Sequence, residues 1–434
     1  MDIPDGLETV LEQVTPNFEE NLKRAFINEG IRIQSMSGWK SHSLDDVLDT
    51  IDNNIVELRN LKLTRTPDFR VNNFSVDLAM LTLNLGLSLG QLKVEGEYEV
   101  ANKALQRILP ISQVGKIVII LENVSCDGRA GIYIKEDSFV VENYDLTYRP
   151  SEISIRVSYF KEQGVEVDNE IAESDIERNQ IIKAFWVQFT DVLTSLLHRQ
   201  LGAVIVEYSV NELLLDEGEP DQLRDLARQR ALTANRLLDS LLCATKTHLV
   251  ETGQRILEGD QLRVVFKSRP PGTQQGSLET DVAEILDMAT LSRITEMSIL
   301  EEKESLIIYG QIMLREFKYN YDHYKAEYGD SISQGSLKTT IYKNKISVKL
   351  LIEKVNNNNC KVKLETLQFQ TVSDIDIDIS GLGSLSWLRD RVRSWAIGHL
   401  HNKILPSIED KIKSAFNYAI DITNCGDILK LNSK

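Results

Sequence analysis

The sequence predicts an α+β protein of two tandem domains, each a long amphipathic helix pair wrapped by a strongly curved antiparallel sheet that encloses an apolar tunnel. Three observations carry this reading: four elements that recur in the same order, a strand of alternating leucines, and two helical rails far longer than an average helix. The chain has 434 residues, 42% hydrophobic and 26% charged, which is ordinary globular composition and more than one core needs. Two domains are therefore expected before any motif is read.

The first recurring element is an amphipathic helix. Its apolar positions are Phe18, Leu22, Phe26 and Ile33 in one half, and Leu238, Leu242, Thr245, Leu249 and Ile256 in the other. The second is a set of alternating strands. Leu81, Leu83, Leu85, Leu87 and Leu89 face one way and Thr82, Asn84, Gly86 and Ser88 the other. After Gly90 the phase slips, with Leu92, Val94, Gly96, Tyr98 and Val100 on the apolar side, so Gly90 marks a bulge, bend or turn. The counterpart in the second half is Leu306, Ile308, Gly310, Ile312 and Leu314, followed by Tyr319, Tyr321 and Tyr324.

The third element aligns best: the segment from Glu142 through Ile153, Ile155 and Val157 against the one from Glu365 through Ile375, Ile377 and Ile379. Both read as the end of an antiparallel meander. The fourth is a long helix, roughly from Asp175 to Ser209 and from Ser384 to Ile420. Its rail steps by four through Ile181, Phe185, Phe189, Leu193, Leu197, Leu201 and Ile205, and then through Val392, Ala396, Leu400, Ile404, Ile408, Ile412 and Phe416. At a rise of 1.5 Å per residue such a helix is ~50 Å long. Pro406 lies inside the second rail and should kink it, because proline removes a helical hydrogen bond.

The acidic stretch Glu217–Gln222, with Gly218 and Pro220, has no periodicity and reads as a linker. The expected domains are 1–216 and 223–434, joined by 217–222. A second loop is expected over Ser268–Ser277, between a strand and a short helix of the second domain.

Charge and motifs exclude several functions. A formal charge of −16 argues against nucleic acid, whose phosphates need a surplus of Lys and Arg. No apolar run approaches the length that spans a bilayer, so no stable membrane insertion is expected. The start, Met1 to Val10, lacks the regions of a signal peptide, which fits a cytosolic protein or a mature secreted one. GxSxG, HExxH, GxxxxGK[ST] and a strand-linked GxGxxG are all missing, so neither an enzyme nor a cofactor is expected.

Weaker candidates have plainer readings. His399 and His401 stand two apart on a helix and cannot share a metal. Asp374, Asp376 and Asp378 alternate with isoleucines, as on the polar face of a strand, and lack the glycine of a calcium loop. Gly381 and Gly383 precede a helix without a following lysine and read as a turn rather than a phosphate cradle. Cys126, Cys243, Cys360 and Cys425 are too few for a disulfide scaffold; a Cys360–Cys425 bridge or four unpaired thiols both fit. The sequons at Asn73 and Asn123 bear weight only in a secretory route.

The order of elements, with the segment Ser380-Gly381-Leu382-Gly383-Ser384-Leu385-Ser386-Trp387-Leu388 leading from a strand into the last long helix, resembles the arthropod group 7 mite allergens. The layout is similar to the wider tubular lipid-binding superfamily, including insect takeout and juvenile-hormone-binding proteins and the bactericidal permeability-increasing proteins. The first copy departs from the motif, with Ile171-Ala172-Glu173-Ser174-Asp175 before its helix. The resemblance implies a secreted, non-catalytic carrier or sensor of lipids or other hydrophobic small molecules.

The residues expected to touch such a ligand are Phe18, Leu22, Phe26, Leu81, Leu83, Leu85, Leu87, Phe185, Phe189, Leu193 and Leu197 in the first half. In the second they are Leu238, Leu242, Leu249, Ile308, Ile312, Leu350, Leu400, Ile404 and Ile408. With its leucine strand and its proline-free rail, the first half is expected to hold the larger tunnel. The competing reading is a scaffold or recognition protein whose interiors are filled and whose surface binds a protein or glycolipid.

Overall fold

The computed structural model describes residues 3, 5–35, 41–51, 54–64, 67–102, 112–160, 166–171, 176–214, 220–267, 275–302, 305–356, 359–423 and 425. In the first half, α1 (Asp5–Ser35) is followed by β1 (His42–Ser43), β2 (Val47–Ile51), β3 (Asn54–Leu63), β4 (Arg70–Asp77) and β5 (Thr82–Asn102). Then come β6 (Ser112–Lys135), β7 (Ser138–Arg149), β8 (Glu152–Phe160), β9 (Glu166–Ile171), α2 (Ile176–Ile205) and the short α3 (Val210–Leu213). Ser209, expected as the end of the long helix, instead caps α3, its Oγ accepting from the Glu212 N–H at 3.0 Å.

The second half runs α4 (Pro220–Glu251), β10 (Leu257–Gly259), β11 (Arg263–Lys267), β12 (Gln275–Thr280), β13 (Ala283–Leu286), β14 (Leu291–Arg293) and β15 (Ser298–Glu302). It continues through β16 (Ser305–Leu314), β17 (Phe317–Tyr328), β18 (Ser331–Asn356), β19 (Asn359–Ile379), α5 (Arg389–His399) and α6 (Leu405–Ile422). The architecture is α+β, with two large antiparallel sheets and few helices.

The pairing follows the same plan in both sheets. In the nine-stranded sheet the long β6 pairs with β5 along one edge and with β7 and β8 along the other. In the ten-stranded sheet the long β18 pairs with β16 and β17 along one edge and with β19 along the other. Neither sheet closes on itself: the strand paths run from β1 to β9 and from β10 to β14. Gly90 is a bulge, as the phase slip suggested, with φ +68° and register shifts on both sides of it.

Each sheet covers a core. The first gathers the apolar faces of α1, β5 and α2; the second gathers those of α4, β16–β19, α5 and α6. The cores also exchange residues. Leu223 and Leu226, at the start of α4, belong to the first core, while Leu48 on β2 belongs to the second. At that crossing Gly398 of α5 lies so close that a Cβ on it would sit 2.5 Å from the Leu48 Cβ.

Several sequence expectations need correction. The second long helix is not one α-helix. A 3-10 segment at Gly383–Leu388 precedes α5, and a π-helical turn at Leu400–Ile404 separates α5 from α6, so the disturbance from Pro406 is absorbed in the turn before it. Ile256 lies beyond the end of α4 and is 52% exposed, because the helical period ends at Glu251. Pro220, Asp221 and Gln222, read as linker, form the first turn of α4, where a proline is tolerated because its N–H has no helical partner; 217–219 lie outside the described residues. Gln275–Ser277, read as loop, begin β12, and a strand rather than a helix follows the loop; 268–274 lie outside the described residues.

Other expectations hold. Asp374, Asp376 and Asp378 stand exposed on β19, and Gly381, with φ +72°, lies in the connection to the 3-10 segment that Gly383 opens at φ +51°. The reading of four unpaired buried thiols is overturned: Cys360 and Cys425 are bonded, with Cα atoms 5.9 Å apart, Cys126 is a buried free thiol and Cys243 is an exposed one. No helix among the described residues is long and apolar enough to cross a membrane.

Candidate ligand-binding site at the junction of the two sheets

The residues expected to line a tunnel are all buried, and the structure brings them together as two groups. Phe18, Leu22 and Phe26 from α1, Leu83, Leu85 and Leu87 from β5, and Phe185, Phe189, Leu193 and Leu197 from α2 meet in the first core, with Leu81 just before β5. Leu238, Leu242 and Leu249 from α4, Ile308 and Ile312 from β16, Leu350 from β18, Leu400 and Ile404 from the π turn and Ile408 from α6 meet in the second. Ring contacts fill part of each: Phe185 lies 5.8 Å from Phe189, and Tyr319 lies 5.9 Å from Tyr321.

A cavity of about 570 Å³ lies elsewhere, where the first sheet meets α4 and β15. Its apolar wall includes Met80, Leu81, Ile132, Ile134, Val140, Ala227, Ala231, Leu232, Met297 and Ile299. The charged and polar lining is Tyr133, Lys135, Glu136, Glu142, Arg224, Arg228, Arg230, Glu296 and Ser298. Of the residues expected from the sequence to touch ligand, only Leu81 lines this cavity.

One side of the cavity is held by a polar cluster between the halves. Asn143, 3% exposed at φ +53°, sits where the β6–β7 register shifts. Its amide donates to Tyr133 OH, to the Glu296 carbonyl at 2.8 Å and to Ser298 Oγ at 3.1 Å, while its oxygen accepts from Thr295 Oγ1 at 2.9 Å. Asn235 on α4 donates to the Glu296 carboxylate and accepts from the Met297 N–H at 2.9 Å. Burial raises the Glu142 carboxyl above its usual value, against the opposing charges of Lys345 and Lys135 and with a smaller push from Glu296.

Arg230 stands apart. It is 3% exposed, and its Nη1 donates to the thioether Sδ of Met80 at 3.1 Å, a weak acceptor. Its Nε and Nη2 are sealed from solvent without a hydrogen-bond partner, and no carboxylate lies within ion-pair distance among the described residues. Burial pulls its pKa below the ordinary arginine value; the charges of Glu301 and Asp77 oppose that shift from a distance. Sequence reasoning missed it, although a signal was present. Along α4 the buried face runs Leu223, Leu226, Arg230, Ala234, Leu237, Leu241, and an arginine stands at a core position.

Among the described residues no three His, Cys, Asp or Glu side chains are placed to hold an ion. His399 is buried with its Nε2 3.2 Å from the Asp260 carbonyl, and His401 lies 3.1 Å from Asp45 Oδ2.

Residues 28–216 match the family model of haemolymph juvenile hormone binding protein. The chain is similar to the tubular lipid-binding superfamily. Two solved structures are alike at low identity. Takeout 1 of Epiphyas postvittana is 14% identical, covering 47% of this chain and 92% of that one, with a TM-score of 0.25. A lipopolysaccharide binding protein is 11% identical, covering 91% of this chain and 88% of that one, with a TM-score of 0.19. No curated protein matches the chain.

Proposed function

We propose that this protein binds and carries hydrophobic or amphiphilic small molecules without chemistry, as a secreted carrier or sensor. The observation that supports this most is the match of residues 28–216 to the haemolymph juvenile hormone binding family, whose name gives a hormone as what its members bind. The apolar interior of that half, lined by the leucine face of β5 and the rails of α1 and α2, is chemically suited to an apolar ligand. In this reading 1–216 and 223–434 are two copies of one tubular domain, and the ligand touches the buried rails of the first. The experiment is organic extraction of the purified full chain followed by mass spectrometry, together with displacement of a fluorescent long-chain probe. Co-purifying lipid or a saturable probe site is expected; a lipid-free chain indifferent to fatty acids and terpenoids would end the proposal.

A second reading has its own support in the second half. Trp395, Tyr319, Tyr321, Tyr324, Phe317 and Phe416 are fully buried there, so bulky side chains occupy much of that interior. On this reading the second half is a filled scaffold and only the first half carries a ligand.

A further inference from the structure

We propose that the junction cavity binds the oxyanion head of an amphiphile, a carboxylate or phosphate ester with an apolar tail, and that Arg230 is the head-group residue. The tail rests on the hydrophobic-ligand reading above; the head goes beyond it. A cavity of about 570 Å³ lies beside a cation that is 3% exposed and whose Nε and Nη2 have no hydrogen-bond partner among the described residues. Buried arginines are ordinarily matched by a carboxylate, and the planar guanidinium fork fits a carboxylate or phosphate through two parallel hydrogen bonds. Here, among the described residues, its hydrogen-bond partner is the Met80 sulfur, and Met80 also lines the cavity. Met80 is an unbranched, adaptable side chain, so an entering head group displaces it at small cost and takes over the Nη1 donor that its sulfur now holds.

Two other charged lining residues already have partners. Arg224 is held by Asp137 and Asp221, and the Glu296 carboxylate by Asn235. The cavity also has apolar lining, including Leu81, Ile132 and Ile299, which suits a tail.

The test is calorimetric titration of the full chain with dodecanoate, dodecyl phosphate, dodecanol, acetate and inorganic phosphate. Dodecanoate and dodecyl phosphate are expected to bind at least about tenfold more tightly than dodecanol, a difference of about 1.4 kcal/mol. Acetate and inorganic phosphate, lacking a tail, are expected not to bind measurably; if they match dodecanoate, the site takes free anions and the amphiphile proposal fails. Arg230→Met keeps the length and removes the charge, so dodecanoate affinity should fall to that of dodecanol while dodecanol affinity stays. Because the variant removes an unmatched buried cation, its melting temperature should equal or exceed that of the parent.

Unchanged dodecanoate affinity in Arg230→Met, or equal binding of acid and alcohol by the parent, overturns the head-group role and leaves the hydrophobic-ligand reading standing. Failure of every tailed probe to bind overturns both. If Arg230→Met does not fold, Ala231→Trp, which fills the cavity from α4, carries the test: dodecanoate must lose its advantage over dodecanol, and an unchanged advantage overturns the site.

Discussion

Cys360 and Cys425 are bonded, with Cα atoms 5.9 Å apart, which ties the start of β19 to the residue group just beyond α6 across 65 positions of chain. Closing a loop of that length restricts the unfolded chain by about 4 kcal/mol on the chain-entropy estimate. Cys360→Ser with Cys425→Ser is therefore expected to lower stability by roughly 2 to 5 kcal/mol. Chemical denaturation of parent and double variant, each with Cys126 and Cys243 kept reduced, measures it; equal midpoints would show that the bond contributes nothing.

Gly398 offers a case where helix propensity gives the wrong sign. In an exposed helix interior Gly→Ala stabilises by about 1 kcal/mol. Here the added Cβ would meet Leu48 Cβ at 2.5 Å and Leu48 N at 2.6 Å, and the second of these is backbone. Gly398→Ala should instead destabilise by about 1 to 3 kcal/mol, the range for overpacking. The loss should appear as faster proteolysis near β2 as well as a lower melting temperature, and a rise in melting temperature would contradict the close crossing.

Asp191 on α2 accepts a 2.6 Å hydrogen bond from Thr371 on β19. Burial raises its carboxyl above the usual value, opposed by the Thr371 bond and Lys345 and reinforced by Asp45. The folded state then keeps this proton at pH values where the unfolded chain has released it, from about pH 4 upward, so this group's contribution to stability falls as pH rises. Asp191→Asn removes that loss. The difference in melting temperature, variant minus parent, is expected to be more positive at pH 7 than at pH 4; a flat difference would refute the assignment.

Leu85→Trp and Phe189→Trp are expected to weaken binding of a long-chain probe more than Ile404→Trp does, because the first two fill the interior proposed to hold the ligand. Ile404 already packs within 2.8 Å of where a Cβ on Gly259 would lie. Overpacking without a ligand site would cost about 1 to 3 kcal/mol of stability in each. Probe affinity and melting temperature measured together separate the cases: stability loss with unchanged affinity in both first-half variants would mark that interior as packed core.

The elements legible in the sequence were those whose signal is a local period. The rail Phe185, Phe189, Leu193, Leu197, Leu201, Ile205 and the leucines of β5 are buried as read, since burial on one face imposes its repeat on the chain. Gly90 was legible because a bulge reverses that repeat. What depends on the other half of the molecule was not. β16 buries Ile307 and Tyr309 as well as Leu306 and Ile308, with the Arg129 guanidinium 5.8 Å over the Tyr309 ring, and no alternation announces such a two-sided strand. The junction cavity escaped notice for the same reason. Its walls come from stretches of chain far apart in sequence, 80–142, 224–232 and 296–299, and only Arg230, polar on an apolar face, marked it in the sequence.

α4 is an unbroken helix of 32 residues, about 48 Å of stiff rod at 1.5 Å per residue, with its first turns seated in one core and the rest in the other. A rod shared in this way acts as an axle rather than a hinge. Rocking of the halves must twist or shear it instead of flexing a loop, and any such motion strains the seam around Arg230 first. Under the head-group proposal, opening of that seam and entry of a guest are mechanically one event, and melting of either half should pull the other down with it in a single calorimetric transition.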